Sequence, residues 1–341
     1  VGFALNNNYS DFDGGLKFYY NWGENNIYDG WHSKDKNINF LVYQNIKLFS
    51  DNVTTIGIDY KHYGGEGENL KSAMFSKNFI EGDFYVDETG VYLLTQQYFS
   101  DKVVANGGIR YENNSKFGGE VVPQIGMAYH INESNTVKAL ASKGFRSPTI
   151  KDLFMFPVRN ADLKPEVVWN YEIGYLSRIE DNISLEVALF IAKGDNIIVQ
   201  QGVAPNAKLR NAGSFTHRGI EILSKIIASN NLNFTVSYTY LDPENQTKSN
   251  PRHKFFAEAN YNYENLDVNF DLKQISKLYG DDYSRYELPD YTMVDGRISY
   301  SVLNYAKVYV SGNNLLNKSY QTMYGYTMPG RNYSIGINFN Y

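Results

Sequence analysis

A strict alternation of apolar and polar residues is the feature of this sequence that most limits its fold. Five apolar or aromatic residues alternate with small or polar ones over the last ten positions: Tyr333, Ile335, Ile337, Phe339 and Tyr341. Successive side chains of a β-strand point to opposite sides of a sheet, so this pattern predicts a strand with one wholly apolar face. The same alternation recurs at 169–175, 185–191, 232–240 and 266–272. The chain is therefore predicted to be all-β.

Composition supports this fold class and excludes several others. The 341 residues include 30 Tyr, 20 Phe and 28 Gly against nine Pro, which favours strands and tight turns. A net charge of −5 argues against a nucleic-acid partner. Cysteine is absent, so neither a disulfide nor a thiolate metal site can form. No run of about 18 apolar residues offers a spanning helix, but alternating strands of about 9–11 residues can still cross a membrane.

The connections between the predicted strands alternate strictly between short and long. The short ones are Ser10–Gly14, Ser50–Asn52, Ser100–Lys102, Asn132–Asn135, Glu180–Asn182, Ala228–Asn231, Glu264–Asn265 and Leu303–Tyr305. The long ones are Gly23–Lys36, Gly64–Asp83, Glu112–Gly119, Arg146–Glu166, Gly194–Ala212, Asp242–Arg252, Ser276–Asp290 and Asn314–Pro329. Such asymmetry is typical of outer-membrane barrels. It predicts about seventeen strands, with an error of one or two.

The odd strand count predicts that the chain begins inside a barrel. Single-chain bacterial barrels close with an even number of strands. Residues Val1 to Tyr9 show no basic region and no small-residue cleavage site, so they do not resemble a signal peptide. Residues 1–341 are therefore expected to form one transmembrane β-barrel domain that is incomplete at its N-terminus.

The candidate catalytic and metal-binding residues give a weak signal. The five histidines lie in unrelated segments, and no two of them share a ligand spacing such as i, i+2 or i, i+4. These are His32, His62, His130, His217 and His253. The cluster Gly64-Gly-Glu-Gly67 precedes a polar loop and no helix, so it does not predict a phosphate cradle. Neither an enzyme activity, nor a metal site, nor a cofactor is predicted.

Several motifs resemble those of one family. The segments Lys143–Phe156, Asn160–Glu166 and Trp169–Gly174 are similar to the mid-barrel signature of TonB-dependent receptors. The segments Gly312–Tyr320 and Gly325–Arg331, followed by an aromatic-terminated alternating strand, resemble the closing strands of the same family. The resemblance covers essentially the whole chain in the order of strands and loops.

This resemblance implies a barrel of about 22 strands with an N-terminal plug inside it. It also implies an energy-coupling box that the TonB complex engages from the periplasm. Neither plug nor box is visible in the sequence, so the chain is expected to carry the last ~17 strands of such a barrel. The resemblance places it in the bacterial outer membrane with its long loops extracellular. The resemblance implies the lipid bilayer and the barrel-assembly machinery as partners, and it leaves open whether a surface lipoprotein is a further partner.

Ligand binding is predicted in three long loops that are rich in aromatic residues and methionine, because such side chains hold flat chelates by stacking. The predicted ligand-binding residues are Met155, Arg159, Tyr279, Tyr283, Arg285, Tyr286, Tyr320, Met323, Tyr324, Tyr326 and Met328. The alternative is that these aromatics brace the loops against one another. Direct heme ligation is disfavoured, since residues 149–159, between two boxes that resemble those of heme receptors, contain no His.

The leading hypothesis is therefore energy-coupled uptake of a metal chelate. A ferric siderophore is ranked first as ligand, followed by cobalamin, heme and a copper complex. The alternatives are a plugless outer-membrane diffusion porin and a secreted, soluble glycan-binding β-protein. The apolar rows at 266–272 and 333–341 are expected to face lipid. The expected barrel-assembly signal consists of Tyr333, Phe339 and Tyr341.

Overall fold

The structure, a computed structural model, describes residues 1–9, 11–28, 30–69, 82–155, 158–202, 206–244, 250–280 and 286–339. These residues contain 21 β-strands and one short helix. Seventeen of the strands belong to a single sheet. The prediction of an all-β chain with about seventeen strands is confirmed. In the described part of the chain, no helix has the length and apolar character needed to cross a membrane.

The strands of the large sheet are long. They are β1 (Gly2–Asn8), β2 (Phe12–Asn26), β3 (Trp31–Ile46), β4 (Asn52–Asn69), β5 (Gly82–Ser100), β6 (Val103–Asn114), β7 (Gly118–Asn132), β8 (Asn135–Arg146), β9 (Glu166–Glu180), β10 (Ile183–Gln201), β11 (Lys208–Ser229), β12 (Leu232–Pro243), β13 (His253–Tyr263), β14 (Leu266–Ser276), β17 (Tyr291–Leu303), β18 (Ala306–Asn313) and β21 (Asn332–Phe339). The remaining elements are the helix α1 (Ile150–Phe154), the hairpin β15 (Leu278–Tyr279) with β16 (Glu287–Leu288), and the hairpin β19 (Gln321–Met323) with β20 (Tyr326–Thr327).

The sheet is an antiparallel meander. Neighbouring strands pair in sequence order from β1 to β6. The same holds from β11 to β14, and then through β17 and β18 to β21. All the predicted short connections are short turns in the structure.

Three of the predicted long loops are mostly strand. The β2–β3, β6–β7 and β10–β11 connections span only residues 27–30, 115–117 and 202–207. The strands continue there as paired ribbons in which apolar and polar residues no longer alternate. An example is the Lys34–Glu66 pair across β3 and β4. Apolar alternation ends before these ribbons do, and for this reason the sequence pattern indicated loops.

The described chain divides into two compact units. Unit 1 comprises residues 1–128, 140–171 and 193–214, and unit 2 comprises residues 129–139, 172–192 and 215–341.

In unit 1 the apolar face of the sheet is the exposed one. Ile58, Val91 and Tyr111 are direct partners across β4, β5 and β6, so they share a face. They are 45%, 48% and 50% exposed. The next row on the opposite face contains Asp59 and Glu112, which are buried. Soluble proteins bury apolar rows and expose charged ones, so this arrangement is inverted.

Unit 2 shows the same inversion. Ile335, Val310 and Ile298 are cross-strand partners and are 82%, 52% and 51% exposed. The predicted rows at 266–272 and 333–339 lie on this face, and Tyr341 is outside the described residues. On the opposite face Ser299 is buried, and the guanidinium carbon of Arg297 lies 3.8 Å from the ring centroid of Tyr309. A continuous apolar surface of this kind requires apolar surroundings.

Candidate ligand-binding loops

The loop between β8 and β9 carries a helix that is held against the wall of unit 1. Thr149 begins the helix with a capping box, in which Asp152 N–H donates to Thr149 Oγ1 at 3.2 Å and Thr149 N–H donates to Asp152 Oδ2 at 3.0 Å. Leu153 is only 1% exposed. The ring of Phe154 stacks on Phe84 of β5 with centroids 4.8 Å apart. The loop is therefore docked on the strand below it.

The mid-barrel motif forms a clasp at the base of this loop. Arg146 Nε donates to Glu166 Oε2 at 2.5 Å, and the backbone N–H of Ile198 donates to Glu166 Oε1 at 2.7 Å. Asn211 Nδ2 donates to the carbonyl oxygens of Lys164 and Asn196 at 2.8 and 2.7 Å. These contacts join the ends of β8, β9, β10 and β11. The motif that carries the family resemblance thus holds the scaffold together.

A buried polar network lies under the start of the same loop. Glu88, which is 8% exposed, accepts hydrogen bonds at Oε1 from Tyr63 Oη at 3.1 Å and Asn114 Nδ2 at 2.8 Å. Ser147 Oγ donates to the same oxygen at 3.3 Å, which connects the loop to the wall.

Arg110, four residues before Asn114 on β6, forms a second polar cluster on the same face. Its Nη1 and Nη2 donate to Asp59 at 2.6 and 3.0 Å, and its Nε donates to Glu112 Oε2 at 2.7 Å. A side chain at Gly90 would collide with the guanidinium, because an added Cβ would lie 1.9 Å from Arg110 Nη2.

A cavity of about 370 Å³ lies in unit 1 between β3, β4, β5 and the helix-bearing loop. Its lining residues are Trp31, Ser33, Lys34, Asp35, Lys36, Asn37, Tyr63, Gly64, Gly65, Glu66, Gly67, Phe84, Ile150 and Met155. Met155 is the one residue of the predicted ligand-binding set among them. The sequence cluster Gly64–Gly67 lies at this site. It did not predict a site because no helix follows it.

The two loops of unit 2 are held by a small apolar core. Ile275, Leu278, Leu288 and Tyr291 are each at most 5% exposed and pack together, with Met293 and Tyr320 against them. The ring centroids of Tyr291 and Tyr320 are 4.6 Å apart. Tyr320, predicted to bind ligand, therefore packs against the base of the neighbouring loop, which agrees with the bracing alternative.

A second aromatic pair joins the same loops. Tyr286 and Tyr324 stack with centroids 3.9 Å apart. Gly280 allows the approach, because a Cβ at that position would lie 2.8 Å from Tyr324 Cβ. Tyr279 Oη donates to Glu287 Oε2 at 3.4 Å, and Met328 Sδ accepts a hydrogen bond from Thr322 Oγ1 at 3.7 Å.

The β19–β20 hairpin presents the other faces of these residues to the surroundings. Tyr326 is 68% exposed, Tyr324 55% and Met323 45%. The structure thus brings together the predicted residues of the two unit 2 loops. Tyr283, Arg285 and Phe156 lie outside the described residues, and Arg159 does not line the cavity.

Asn314 shows why the segment Gly312–Tyr320 is rich in asparagine, since its side chain and backbone bond to both ends of a loop. It is 1% exposed and has a positive φ of 50°. Its N–H donates to Asp295 Oδ1 at 2.7 Å, and its Nδ2 donates to the carbonyl oxygens of Lys318 and Pro329 at 2.9 and 3.2 Å. One asparagine therefore fixes both ends of the loop that carries the exposed tyrosines.

Each unit has a charged side chain with acidic partners near one of its long connections. In β3 the apolar row ends at Ile38, and His32 lies six residues further, about 20 Å along the strand. Hydrogen bonds to Glu68 and Glu24, both of 2.9 Å, raise the pKa of His32. In unit 2 the hydrogen bond to Glu287, also of 2.9 Å, raises the pKa of Lys277.

The comparison with known families decides the identity of the fold. The family described as TonB dependent receptor-like, beta-barrel matches residues 1–315. The chain belongs to this family. The family assignment made from the sequence motifs is therefore confirmed.

Two curated proteins to which the chain is similar are vitamin B12 transporters. The chain is 27% identical to BtuB of Vibrio vulnificus over 74% of its length and 42% of the relative. It is 30% identical to BtuB of Photobacterium profundum over 72% of its length and 42% of the relative. The chain thus spans less than half the length of these relatives.

Solved structures of receptors confirm the fold. The siderophore receptor PirA of Acinetobacter baumannii has a TM-score of 0.82 and 16% identity, covering 99% of this chain and 62% of that one. The copper transporter OprC has a TM-score of 0.83 and 13% identity, covering 99% and 64%. At these identities the likeness shows the fold and does not identify a ligand.

Tyr333 and Phe339 lie exposed on the apolar face, and their role in assembly stays a prediction. His32 and His62 bond to separate acidic residues, Glu24 and Glu68 for the first and Asp87 for the second. Within the described ranges no group of three or more His, Asp or Glu side chains is arranged to hold a metal ion.

Proposed function

We propose that this chain forms the wall and the external loops of an outer-membrane transporter that imports a metal chelate with energy from TonB. The observation that carries the proposal is the inverted sheet, with apolar rows exposed and charged side chains buried on the opposite face. Lipid is the medium that such a surface fits, and a polar inner face fits a wet interior. Family membership supplies the coupling to TonB, which is proposed for the whole protein.

The bilayer position follows from the apolar rows. A Lys or Arg on a lipid-facing position costs about 2–4 kcal/mol at the bilayer midplane. The central rows contain none: Ile58, Val91 and Tyr111 in unit 1, and Ile335, Val310 and Ile298 in unit 2. Short turns then lie on the periplasmic side and long connections outside the cell. Insertion by the barrel-assembly machinery through Tyr333, Phe339 and Tyr341, and contact with a surface lipoprotein, belong to the same proposal.

Ligand capture is assigned to the aromatic loops. Tyr324, Tyr326 and Met323 present exposed faces on a hairpin that the core around Leu288 and Tyr291 holds in place. Stacking on such faces suits a chelate of about a nanometre, and an arginine such as Arg159 or Arg285 would pair with its carboxylates. A ferric siderophore is ranked first, then cobalamin, heme and a copper complex. The names of the relatives and solved structures support the siderophore, cobalamin and copper classes, and they do not choose among them.

Uptake by a deletion strain tests the function. Loss of growth on one chelate as sole source of its metal or cofactor, restored by the gene and abolished again when TonB is removed, is the expected result. Uptake that continues without TonB would establish the plugless diffusion porin instead. A soluble glycan-binding protein would leave the membrane fraction without detergent, whereas the exposed apolar rows require detergent for extraction. In the proposed function no catalytic step occurs.

A further inference from the structure

The cavity of unit 1 lies where one face of β4 carries two glycines, Gly65 and Gly67, in place of larger side chains. Across β3, β4 and β5, direct partners form the rows Asn37–Tyr63–Val86 and Asp35–Gly65–Phe84. Gly65 therefore leaves a hollow between Asp35 and Phe84. The glycine cannot be replaced easily, since an added Cβ would lie 2.0 Å from the carbonyl oxygen of Lys34. The hollow is thus fixed by the backbone.

Aromatic and apolar side chains enclose this hollow. The indole of Trp31 lies over Gly67, where an added Cβ would be 2.7 Å from Trp31 Cζ2. Phe84 is held from one side by Phe154, with ring centroids 4.8 Å apart. Ile150 and Met155 of the helix-bearing loop complete the lining. A volume of about 370 Å³ with such walls falls in the range of sites for small organic ligands.

Among the described lining residues, those whose positions face the cavity carry a single charge, which is negative. Among the lining residues, Lys34, Lys36 and Glu66 occupy the alternate register positions and point to the opposite face. There Lys36 Nζ lies 4.7 Å from the ring centroid of Tyr85, and Lys34 pairs with Glu66 at 4.0 Å. Asp35 is the charged residue of the described lining whose position faces the cavity. Its side chain is exposed, and its carboxylate lies over Gly23 of the neighbouring strand β2, where an added Cβ would be 2.7 Å from Asp35 Oδ1.

We propose that this cavity is a binding site for a small organic molecule with a flat aromatic body and a positively charged end. The faces of aromatic rings are electron-rich and attract cations, and Asp35 adds a full negative charge beside them. The aromatic body fills the hollow over Gly65, while the cationic end meets Asp35. The site stands independently of chelate uptake, because it is defined by unit 1 residues and is tested by direct binding.

Equilibrium binding of benzyltrimethylammonium to the intact, detergent-extracted protein tests this site. We expect saturable binding of one molecule per protein. Trp31→Ala should weaken it at least about tenfold, because the variant removes the largest wall. The matched control is Trp22→Ala, whose side chain is 67% exposed. It should leave affinity unchanged. Met155→Ala is a second variant, which removes a wall from a loop without touching a strand.

The charge requirement has its own controls. Asp35→Asn should weaken binding of the cationic probe about fivefold, whereas Glu68→Gln, on the opposite face and outside the lining, should not. Benzenesulfonate, of similar ring size and opposite charge, should bind at least about tenfold more weakly. Heat-modifiable mobility on gels reports that each variant is folded. Non-saturable binding, equal affinity for Trp31→Ala and Trp22→Ala, or equal affinity for both probes would overturn the proposal, whatever the uptake assay shows.

Discussion

The two units fix their long loops with different balances of charged and apolar contacts. In unit 1 the loop that carries α1 is joined to the wall by ion pairs and charge-assisted hydrogen bonds, at Arg146–Glu166 and Ser147–Glu88. In unit 2 the loops rest on buried Leu278, Leu288 and Tyr291. Charged contacts depend on protonation, and apolar burial does not. The contacts that hold the unit 1 loop can therefore change with pH, whereas the apolar contacts that hold the unit 2 loops do not.

The largest effect should come from the buried charge network. Arg110→Gln leaves Asp59 and Glu112 without their guanidinium partner. Breaking a buried ion pair costs about 3–5 kcal/mol. The Arg110 side chain is 26% exposed, so the lower end of that range applies. We expect the free energy of unfolding in lipid vesicles, measured by urea titration, to fall by about 3 kcal/mol.

The control for this prediction is Lys34→Gln in the same unit. Its pair with Glu66 is 4.0 Å long, and the two side chains are 52% and 56% exposed. Exposed pairs contribute about 0–1 kcal/mol. Equal losses for the two variants would show that the charged network does not stabilise unit 1.

The second effect should arise in the apolar core of unit 2. Leu288→Ala removes a side chain that is 3% exposed. Such truncations cost about 2–5 kcal/mol, and about 2 is expected because a core of few residues can collapse into the space. Hydrogen exchange should accelerate in residues 277–280, 286–290 and 314–331, while the long strands stay protected. Leu316→Ala, at a 59% exposed position, is the control. Uniform acceleration across the sheet would contradict a local core.

The third prediction concerns the exposed faces of the same loops. Replacing Tyr324, Tyr326 and Met328 together by Ala should weaken chelate binding at least tenfold, about 1.4 kcal/mol, without impairing assembly. Titration of the chelate identified by the uptake assay measures this. Tyr320→Phe keeps the packing on Tyr291 and serves as control. Unchanged affinity in the triple variant would show that the loop only braces its neighbour.

The smallest effect is a pH response of unit 1. Since Glu68 and Glu24 raise the pKa of His32, the contribution of its ion pairs is complete below the ordinary pKa of 6.5 and is lost as pH rises through the raised value. The hydrogen bond to His32 lowers the pKa of Glu24, so that side is lost only as pH falls below its ordinary 4.5. The β2–β3 ribbon should therefore be most stable between these two values.

Chymotrypsin cleavage after Tyr28 measures this response, because Tyr28 is 90% exposed at the tip of the ribbon. Cleavage, normalised to a peptide substrate, should be faster at pH 8.5 than at pH 6 in the wild type and independent of pH in His32→Gln. In unit 2 the Lys277–Glu287 pair should not respond over this range, because the pKa of Lys277 is raised above its ordinary 10.5. A pH response that persists in His32→Gln would assign it to another group.

The fold could be predicted because period-two alternation records which residues face each side of a strand. The rows around Ile335 and Val268 show this directly, since their register partners are apolar as well. The ends of β2, β3 and β4 were missed for the same reason. From Asn37 back to His32 every side chain of β3 is polar, so no alternation indicates that pairing continues.

The candidate sites could be predicted only in part. Aromatic and methionine content indicated the loops around Tyr324 and Tyr286, but composition cannot separate a stacked pair from an exposed face. The cavity over Gly65 was missed because it depends on a side chain that is absent, and on Trp31, Phe84 and Met155 from distant segments. Register between strands brings these together, and the alternation within each strand does not specify register across long loops.

Pairing between strands that follow one another in the chain has a consequence for the protein before it reaches a membrane. Each hairpin can close locally and quickly, without waiting for distant segments. The rows proposed to contact lipid, such as Ile58 with Val91, are then apolar surfaces exposed to water. The most recently added strand also has an edge without a hydrogen-bonding partner. Local closure thus creates surfaces that favour aggregation in water, so the proposed insertion into a bilayer requires that the chain be kept from aggregating beforehand.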